Sequence, residues 1–380
     1  MTTYLLHDDA LRSRELRHEI GEPIMDPITY IEHEGRRIIV ASDLEAAIFE
    51  RREDVVDEFW NFTDLGAEEL IKDPTIPDHL IDAELVVRAL TKLEVKEVCV
   101  PPSFQALVLE YLRDRGFMVE IDPTGWFARR RQKTPWELEG IERAQRAAET
   151  AMLTAARMLR DSDRTNDGRL RFEGEILTAE LIRVAMEAEL LSQGAESQDI
   201  LIHTGDACLR GHDIGIGPIL PDTSCIIDCF PRDMRTGVYS DMTRTFVPGE
   251  ASDELRKLHG DCVEAMEIAL AAIKPGTKSA YDQVASFFES KGYPTQRTRR
   301  PEHSLLEGFR HSLGHGVGLE VHERPSIGRR PDEFQVGDVV AIEPGLYFSG
   351  VGGVRLEDTV LVTESGAEHF TDPYPYKLEP

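Results

Sequence analysis

Apolar residues along the first 125 positions come in short runs separated by charged turns. Ile28-Thr-Tyr-Ile-Glu32 and Arg37-Ile-Ile-Val-Ala41 read as two strands around a turn at Glu34-Gly35. Asp43 is placed to cap a helix reaching Glu50. Glu97-Val-Cys-Val100 predicts a strand, Ser103 to Arg115 a helix, and Gly116-Phe-Met-Val-Glu-Ile121 a further strand. This β-α-β order predicts a small α/β domain over residues 1–125. Residues 122–133, from Asp122-Pro-Thr-Gly125 to Arg129-Arg-Arg-Gln-Lys133, read as a linker into the rest of the chain, 126–380.

Beyond it the pattern changes to longer helical periods. Thr134-Pro-Trp-Glu137 is a capping box with proline at the first helical position, and the alanine-rich run from Ile141 to Leu159 continues that helix. Further helices are predicted over about 173–192, 253–273 and 279–291. Between and after them lie strand-like segments: Asp199–His203, Ser224–Asp228, Thr236–Phe246, Val339–Glu343 and Val354–Val362. Pairs of helices alternating with antiparallel-looking strands predict an α+β domain, its helices on one face of a curved sheet.

Composition narrows the classes. At 41% apolar and 30% charged residues over 380 positions, the chain has the make-up of a globular protein with room for one large and one smaller core. No run approaches the length of a membrane span, and no signal peptide is visible, so a cytoplasmic location is expected. A net charge of −27 argues against nucleic acid or an anionic membrane as partner. Five irregularly spaced cysteines do not form a disulfide framework. Cys225 and Cys229 lack the second pair that a zinc site needs, and read as small buried residues.

The chemistry lies in the second half. Asp228, Asp241, His315, Glu343 and Glu357 each sit in an unusual local sequence, and Asp228, Glu343 and Glu357 directly follow apolar side chains. Buried carboxylates are costly unless paired or metal-bound, and four of them with one imidazole suit a pair of divalent cations. Alternation puts Asp241, Thr243 and Thr245 on one strand face, so Thr243 can orient a carboxylate beside Asp241. Arg355 shares a face with Glu357 and is expected to offset negative charge or to grip one carboxylate bidentately. Gly314, Gly316 and Gly318 argue against a helix around His311, His315 and His322 and for an extended, glycine-rich strand whose backbone approaches the site closely. Asp233 competes with Asp228 for the first acidic position, but it lies among turn residues while Asp228 ends an apolar strand.

Ser240-Asp-Met-Thr-Arg-Thr-Phe246, His311-Ser-Leu-Gly-His-Gly-Val-Gly-Leu319, Ile342-Glu-Pro-Gly-Leu-Tyr347 and Val354-Arg-Leu-Glu-Asp358 together resemble the signature words of the M24 metallopeptidases, in the prolidase and aminopeptidase P branch. The resemblance implies a C-terminal pita-bread catalytic domain behind a smaller creatinase/prolidase-like N-terminal domain. It implies that Asp228 chelates one metal, that His315 and Glu343 chelate the other, and that Asp241 and Glu357 bridge both. The metals would be Mn²⁺ first, with Co²⁺, Zn²⁺ or Fe²⁺ as alternatives, and a hydroxide shared between them would attack the scissile carbonyl. Glu343 would shuttle the proton, His322 and His212 would contact the substrate carbonyl, and His311 would support the site. A homodimer is the family expectation.

The function this implies is hydrolysis of Xaa-Pro bonds in small peptides, as a dipeptidase or an aminopeptidase. A dipeptidase also needs a cation for the substrate's C-terminal carboxylate, and Arg232, Arg235 and Arg310 are the candidates. The alternative is a metal-dependent lyase or amidohydrolase acting on a non-peptide substrate. Two departures from the family pattern bear on that choice. The stretch from Asp228 to Asp241 is longer than usual, and the N-terminal domain lacks the branch's asparagine-tyrosine stretch.

Overall fold

The computed structural model describes residues 2–52, 54–211, 213–299 and 304–380. The chain folds into two compact units, residues 1–130 and 131–380. Among the described residues, no helix is long and apolar enough to cross a membrane.

The first unit is built on a six-stranded mixed sheet, in the order Glu58–Asn61, Arg36–Ala41, Ile28–His33, Tyr4–Asp8, Glu97–Val100, Met118–Ile121. Ile28–His33 and Arg36–Ala41 pair antiparallel across the turn at Glu34-Gly35, as their alternation requires. Both sheet faces are covered, so consecutive residues enter opposite cores. Leu5, Ile31, Ile38 and Val40 pack on one side, and Leu6, Tyr30, Ile39 and Ala41 on the other. The strand Tyr4–Asp8, central in the sheet, escapes a periodicity reading because only five residues at the chain start carry it. The expected helix from Ser103 begins at Ala106, after a turn closed by Phe104 N–H on Pro101 O. The expected linker is instead largely a helix, Pro123–Arg131. Trp126 is buried edge-on against Tyr4, and Arg129 pairs with Glu19 and Glu32 at 2.6 Å each.

His7, in that central strand, is buried and hydrogen-bonded to Thr29 Oγ1 at 2.9 Å. Burial lowers its pKa below 6.5 despite the opposing fields of Asp82 and Asp8. The folded state therefore binds fewer protons than the unfolded one below pH 6.5, so stability complete above that pH is lost on acidification. His7→Asn should make the urea midpoint of the first unit fall less between pH 7 and pH 5 than in the wild type. Equal falls would show that His7 does not contribute to the pH dependence.

The second unit has two helix pairs and two principal sheets. Pro135–Arg160 opens on the capping box, with Thr134 and Glu137 exchanging hydrogen bonds, and packs with Ala179–Ser192 over the antiparallel strands Ile200–Thr204, Cys225–Cys229 and Met242–Phe246. Asp253–Ala272 and Ala280–Ser290 pack over a five-stranded sheet ordered Glu323–Ile327, Gly314–Gly316, Val339–Ile342, Asp358–Thr363, Gly366–His369. The helix expected from 173 starts only at Ala179, because Glu173 and Gly174 turn a hairpin between Leu170–Phe172 and Glu175–Ile176.

Two expected strands are interrupted. Residues 236–241 do not join Met242–Phe246: the N–H groups of Tyr239, Ser240 and Asp241 go to Gly318 O, Pro231 O and Thr359 Oγ1, three separate segments. The 354–362 segment breaks at Leu356-Glu357. Gly352–Arg355 pairs with Gly345–Phe348, whereas Asp358–Thr363 pairs with Val339–Ile342. At the break, Glu357 N–H donates to Thr243 O at 3.0 Å and joins the two principal sheets. The candidate acidic residues gather at this junction.

Candidate metal centre

Each predicted ligand is presented by a different backbone feature. Asp228 lies within the strand Cys225–Cys229, directly opposite Thr243. Asp241 precedes the next strand, Glu357 occupies the break just described, and Glu343 follows Val339–Ile342. His315 is central in a three-residue strand between two neighbours. A Cβ on Gly314 would stand 2.0 Å from Ala341 O, and one on Gly316 would stand 2.1 Å from Arg324 O. Glycine is thus required on both sides of His315 because neighbouring backbone passes that close.

All five side chains line one cavity of about 970 Å³. His315 Nε2 stands 3.8 Å from Asp241 Oδ2 and 3.9 Å from both Glu343 Oε1 and Glu357 Oε1. These separations are too long for hydrogen bonds. They fit donors facing a shared cation, where each metal–ligand bond is about 2.0–2.2 Å. The other ring nitrogen, Nδ1, lies 3.1 Å from Gly316 O, an acceptor, so Nδ1 carries the proton and Nε2 turns a lone pair toward the carboxylates. Asp228 Oδ1 and Asp241 Oδ1 are buried without a hydrogen-bond partner. Such atoms are expensive to bury, and a bound cation would satisfy both.

The electrostatics agree with this fit. Burial drives Asp241 and Glu357 well above ordinary carboxylate pKa values, and neighbouring carboxylates add to it. Glu343 is pushed up to about 7 by burial, with Arg355 opposing and Asp228 reinforcing. Burial, followed by the nearby His322, lowers His315 to about 4. Burial also works against a charged Arg355, but Tyr347, Asp228, Glu343 and Glu357 outweigh it and hold the guanidinium protonated.

The supporting contacts differ from the expected ones in detail. Thr243 Oγ1 donates to Glu357 Oε2 at 2.7 Å, so the carboxylate it orients is Glu357. Arg355 reaches Asp228 Oδ2 through one nitrogen, Nη2, rather than gripping a carboxylate bidentately. Its other nitrogens donate to Thr243 Oγ1 and Tyr347 Oη, both at 3.2 Å. His311 Nδ1 lies 2.7 Å from Ser312 O and 3.6 Å from Glu343 Oε2, while its Nε2 lies 3.1 Å from Tyr347 Oη. Tyr347 is therefore a site residue that sequence reasoning passed over, although it closes the Ile342-Glu-Pro-Gly-Leu-Tyr347 word. His322 also lines the cavity, its ring edge-on to His315 with centroids 4.2 Å apart. His212 lies outside the described residues.

Asp233 is placed elsewhere. Arg143 holds it bidentately at 3.1 and 3.0 Å, and Thr236 N–H donates to it at 2.9 Å. The longer stretch after Asp228 thus forms a hairpin anchored on the Pro135–Arg160 helix. Arg232 pairs with Glu196 on the adjoining strand and does not line the cavity, nor does Arg235. Cys225 and Cys229 are free and buried in the helix-covered core.

The family profile of metallopeptidase family M24 matches residues 139–364, which contain all five predicted ligands. The chain belongs to that family. Among its relatives is the Xaa-Pro dipeptidase of Pyrococcus furiosus, 32% identical over 245 residues, or 63% of this chain and 62% of the relative. The aligned part thus covers less than two-thirds of that protein's length. Among solved structures, an X-Pro aminopeptidase from Thermotoga maritima superposes with a TM-score of 0.77 at 21% identity, covering 99% of this chain and 97% of that one. A prolidase from Pyrococcus furiosus gives 0.72 at 22% identity, with 99% and 97% covered. At these identities the structures establish the pita-bread fold of this M24 protein.

Proposed function

We propose that the chain is a dinuclear-metal exopeptidase that hydrolyses Xaa-Pro bonds. The observation that carries this reading is the convergence of Asp228, Asp241, His315, Glu343 and Glu357 around two orphaned, buried carboxylate oxygens. Membership of a divalent-metal-dependent peptidase family and the name of the Pyrococcus relative support the same reading. Asp228 would hold one cation, His315 and Glu343 the other, and Asp241 and Glu357 both, with Mn²⁺ the first candidate for a carboxylate-rich set. When bound, the cations supply Lewis acidity to the scissile carbonyl and lower the pKa of water.

The remaining steps belong to the chain's own residues. Glu343, one oxygen 3.6 Å from His311, would accept the proton of the attacking water and return it to the leaving nitrogen. His322, edge-on to His315 in the cavity, would donate to the carbonyl oxygen as negative charge develops. Arg355 holds Asp228 in position and, through Tyr347, is linked to His311.

The test is turnover of an Xaa-Pro dipeptide and an Xaa-Pro-Yaa tripeptide by purified protein with added Mn²⁺. Release of free proline from the first, or of the N-terminal residue from the second, is expected. Glu343→Ala should abolish both activities. Two cations bound per chain without turnover of either substrate would refute the proposal.

A further inference from the structure

Among the carboxylates that line the cavity, Asp199 stands apart. Asp228 is gripped by Arg355 and Glu323 by Lys133, while Asp241, Glu343 and Glu357 face His315. Two further cations line the wall. Arg210 pairs with Asp213 at 3.2 Å, and Arg310 donates to Leu209 O at 2.6 Å. Among the described residues no cation pairs with Asp199, which is exposed to the cavity.

Asp199 immediately precedes the strand Ile200–Thr204, and Ser197 Oγ donates to its carbonyl at 2.6 Å. In that strand Leu201 lies directly opposite Asp228, and Ile200 opposite Cys229. Asp199 and Phe230 therefore flank the end of the ladder. Alternation puts Asp199 with Leu201, and Phe230 with Asp228, on the same side of the sheet, and all four line the cavity. From the level of Asp228 the wall thus runs over apolar Leu201 and Phe230 to a carboxylate about 7 Å further along the strand.

Resting on the Xaa-Pro reading, we propose that this strip receives the side chain of the substrate's first residue and that Asp199 selects lysine or arginine there. Glu343 returns the proton to the leaving proline nitrogen, so proline occupies the Glu343 and His311 side. The Asp228 side is left to the first residue. A lysine or arginine laid along the wall keeps its methylene stem against Leu201 and Phe230 and carries its charge to Asp199. The substrate's α-ammonium, attached next to the scissile carbonyl, stays near Asp228 and does not reach Asp199. A neutral stem of the same length gains only the apolar contacts, and an acidic side chain meets like charge.

The experiment measures kcat/KM for Lys-Pro, norleucyl-proline and Glu-Pro with the Mn²⁺-loaded wild type, Asp199→Asn and Asp199→Lys. The wild type should prefer Lys-Pro over the norleucyl dipeptide by roughly 3- to 10-fold, mainly through KM. That range lies between the worth of an exposed ion pair and that of a charge-assisted hydrogen bond. Added salt should erode the preference. Asp199→Asn should remove it while changing the neutral dipeptide far less, and Asp199→Lys should turn it toward Glu-Pro. No preference in the wild type, or an unchanged ratio of Lys-Pro to the neutral dipeptide in Asp199→Asn, would overturn the proposal. Calorimetric titration with lysine and norleucine, the released first residues, separates this from failure of the Xaa-Pro reading. Without turnover of any dipeptide that reading fails, yet tighter binding of lysine that Asp199→Asn removes still supports the subsite. Equal binding of the two amino acids overturns it.

Discussion

Arg244→Met should lower the unfolding free energy of the second unit by about 3–5 kcal/mol, the usual cost of removing one member of a buried ion pair. Arg244 is 1% exposed, although it occupies a strand between Thr243 and Thr245. Its guanidinium donates to Thr243 O at 2.9 Å, to Glu357 O and Asp358 Oδ1 at 2.8 Å, and to Tyr374 O at 2.8 Å. Asp358, also buried, takes further hydrogen bonds from Tyr376 and from His369 at 3.1 Å. Methionine keeps most of the apolar stem but takes the charged partner from Asp358 and a donor from three carbonyls. Two of those carbonyls belong to Thr243 and Glu357, so the loss should weaken cation binding as well as stability. Urea unfolding measures the first effect. The double variant Arg244→Met/Asp358→Leu should recover part of the loss, because replacing a buried pair by apolar residues is often close to neutral. A single-variant loss under about 1 kcal/mol would show that the pair does not hold the sheet junction together.

The second large effect separates stability from function. Asp241→Asn removes one of four carboxylates facing each other and keeps the shape of the side chain. Without added metal, the variant should melt at or above the wild-type temperature, because Asp241 carries an orphaned oxygen and repels Glu357. With cation at about a thousand times its Kd, the wild type should gain about 4 kcal/mol for each site filled, equivalent to roughly 8–16 °C per site for a unit this size. The variant should show little of that shift. Its activity should fall by at least about 100-fold, since even residues that only support a ligand cost 10- to 100-fold. A full cation-induced shift in the variant would remove Asp241 from the ligand set.

Much of the site was legible because its residues lie in short words with local logic. Alternation carried Thr243 to the same region as Asp241, and the glycines around His315 announced an extended strand, although what they accommodate is the neighbouring Ala341 and Arg324 carbonyls. The preference for Asp228 over Asp233 came from an apolar strand against a turn, and the structure puts Asp233 on Arg143 instead of in the cavity. What sequence alone did not reveal was long-range. Arg355 shares a strand face with Glu357 in the linear pattern, yet it contacts Asp228, 127 positions away. The break at Leu356-Glu357 was invisible because residues 354–362 contain no glycine or proline to mark it, and only the Thr243 carbonyl across the junction explains why the ladder changes partner there. The helix Pro123–Arg131 was obscured by Pro123, Gly125 and a run of arginines. Its stability comes from Trp126 against Tyr4 and from Arg129 between two glutamates, contacts that local periodicity does not contain.

Anomalous diffraction from crystals grown with Mn²⁺, recorded on both sides of the manganese absorption edge, tests the metal centre directly. Two manganese peaks are predicted, one in contact with Asp228, the other with His315 and Glu343, and both with Asp241 and Glu357. Manganese bound outside these five residues, or no peak within the cavity, would contradict the assignment.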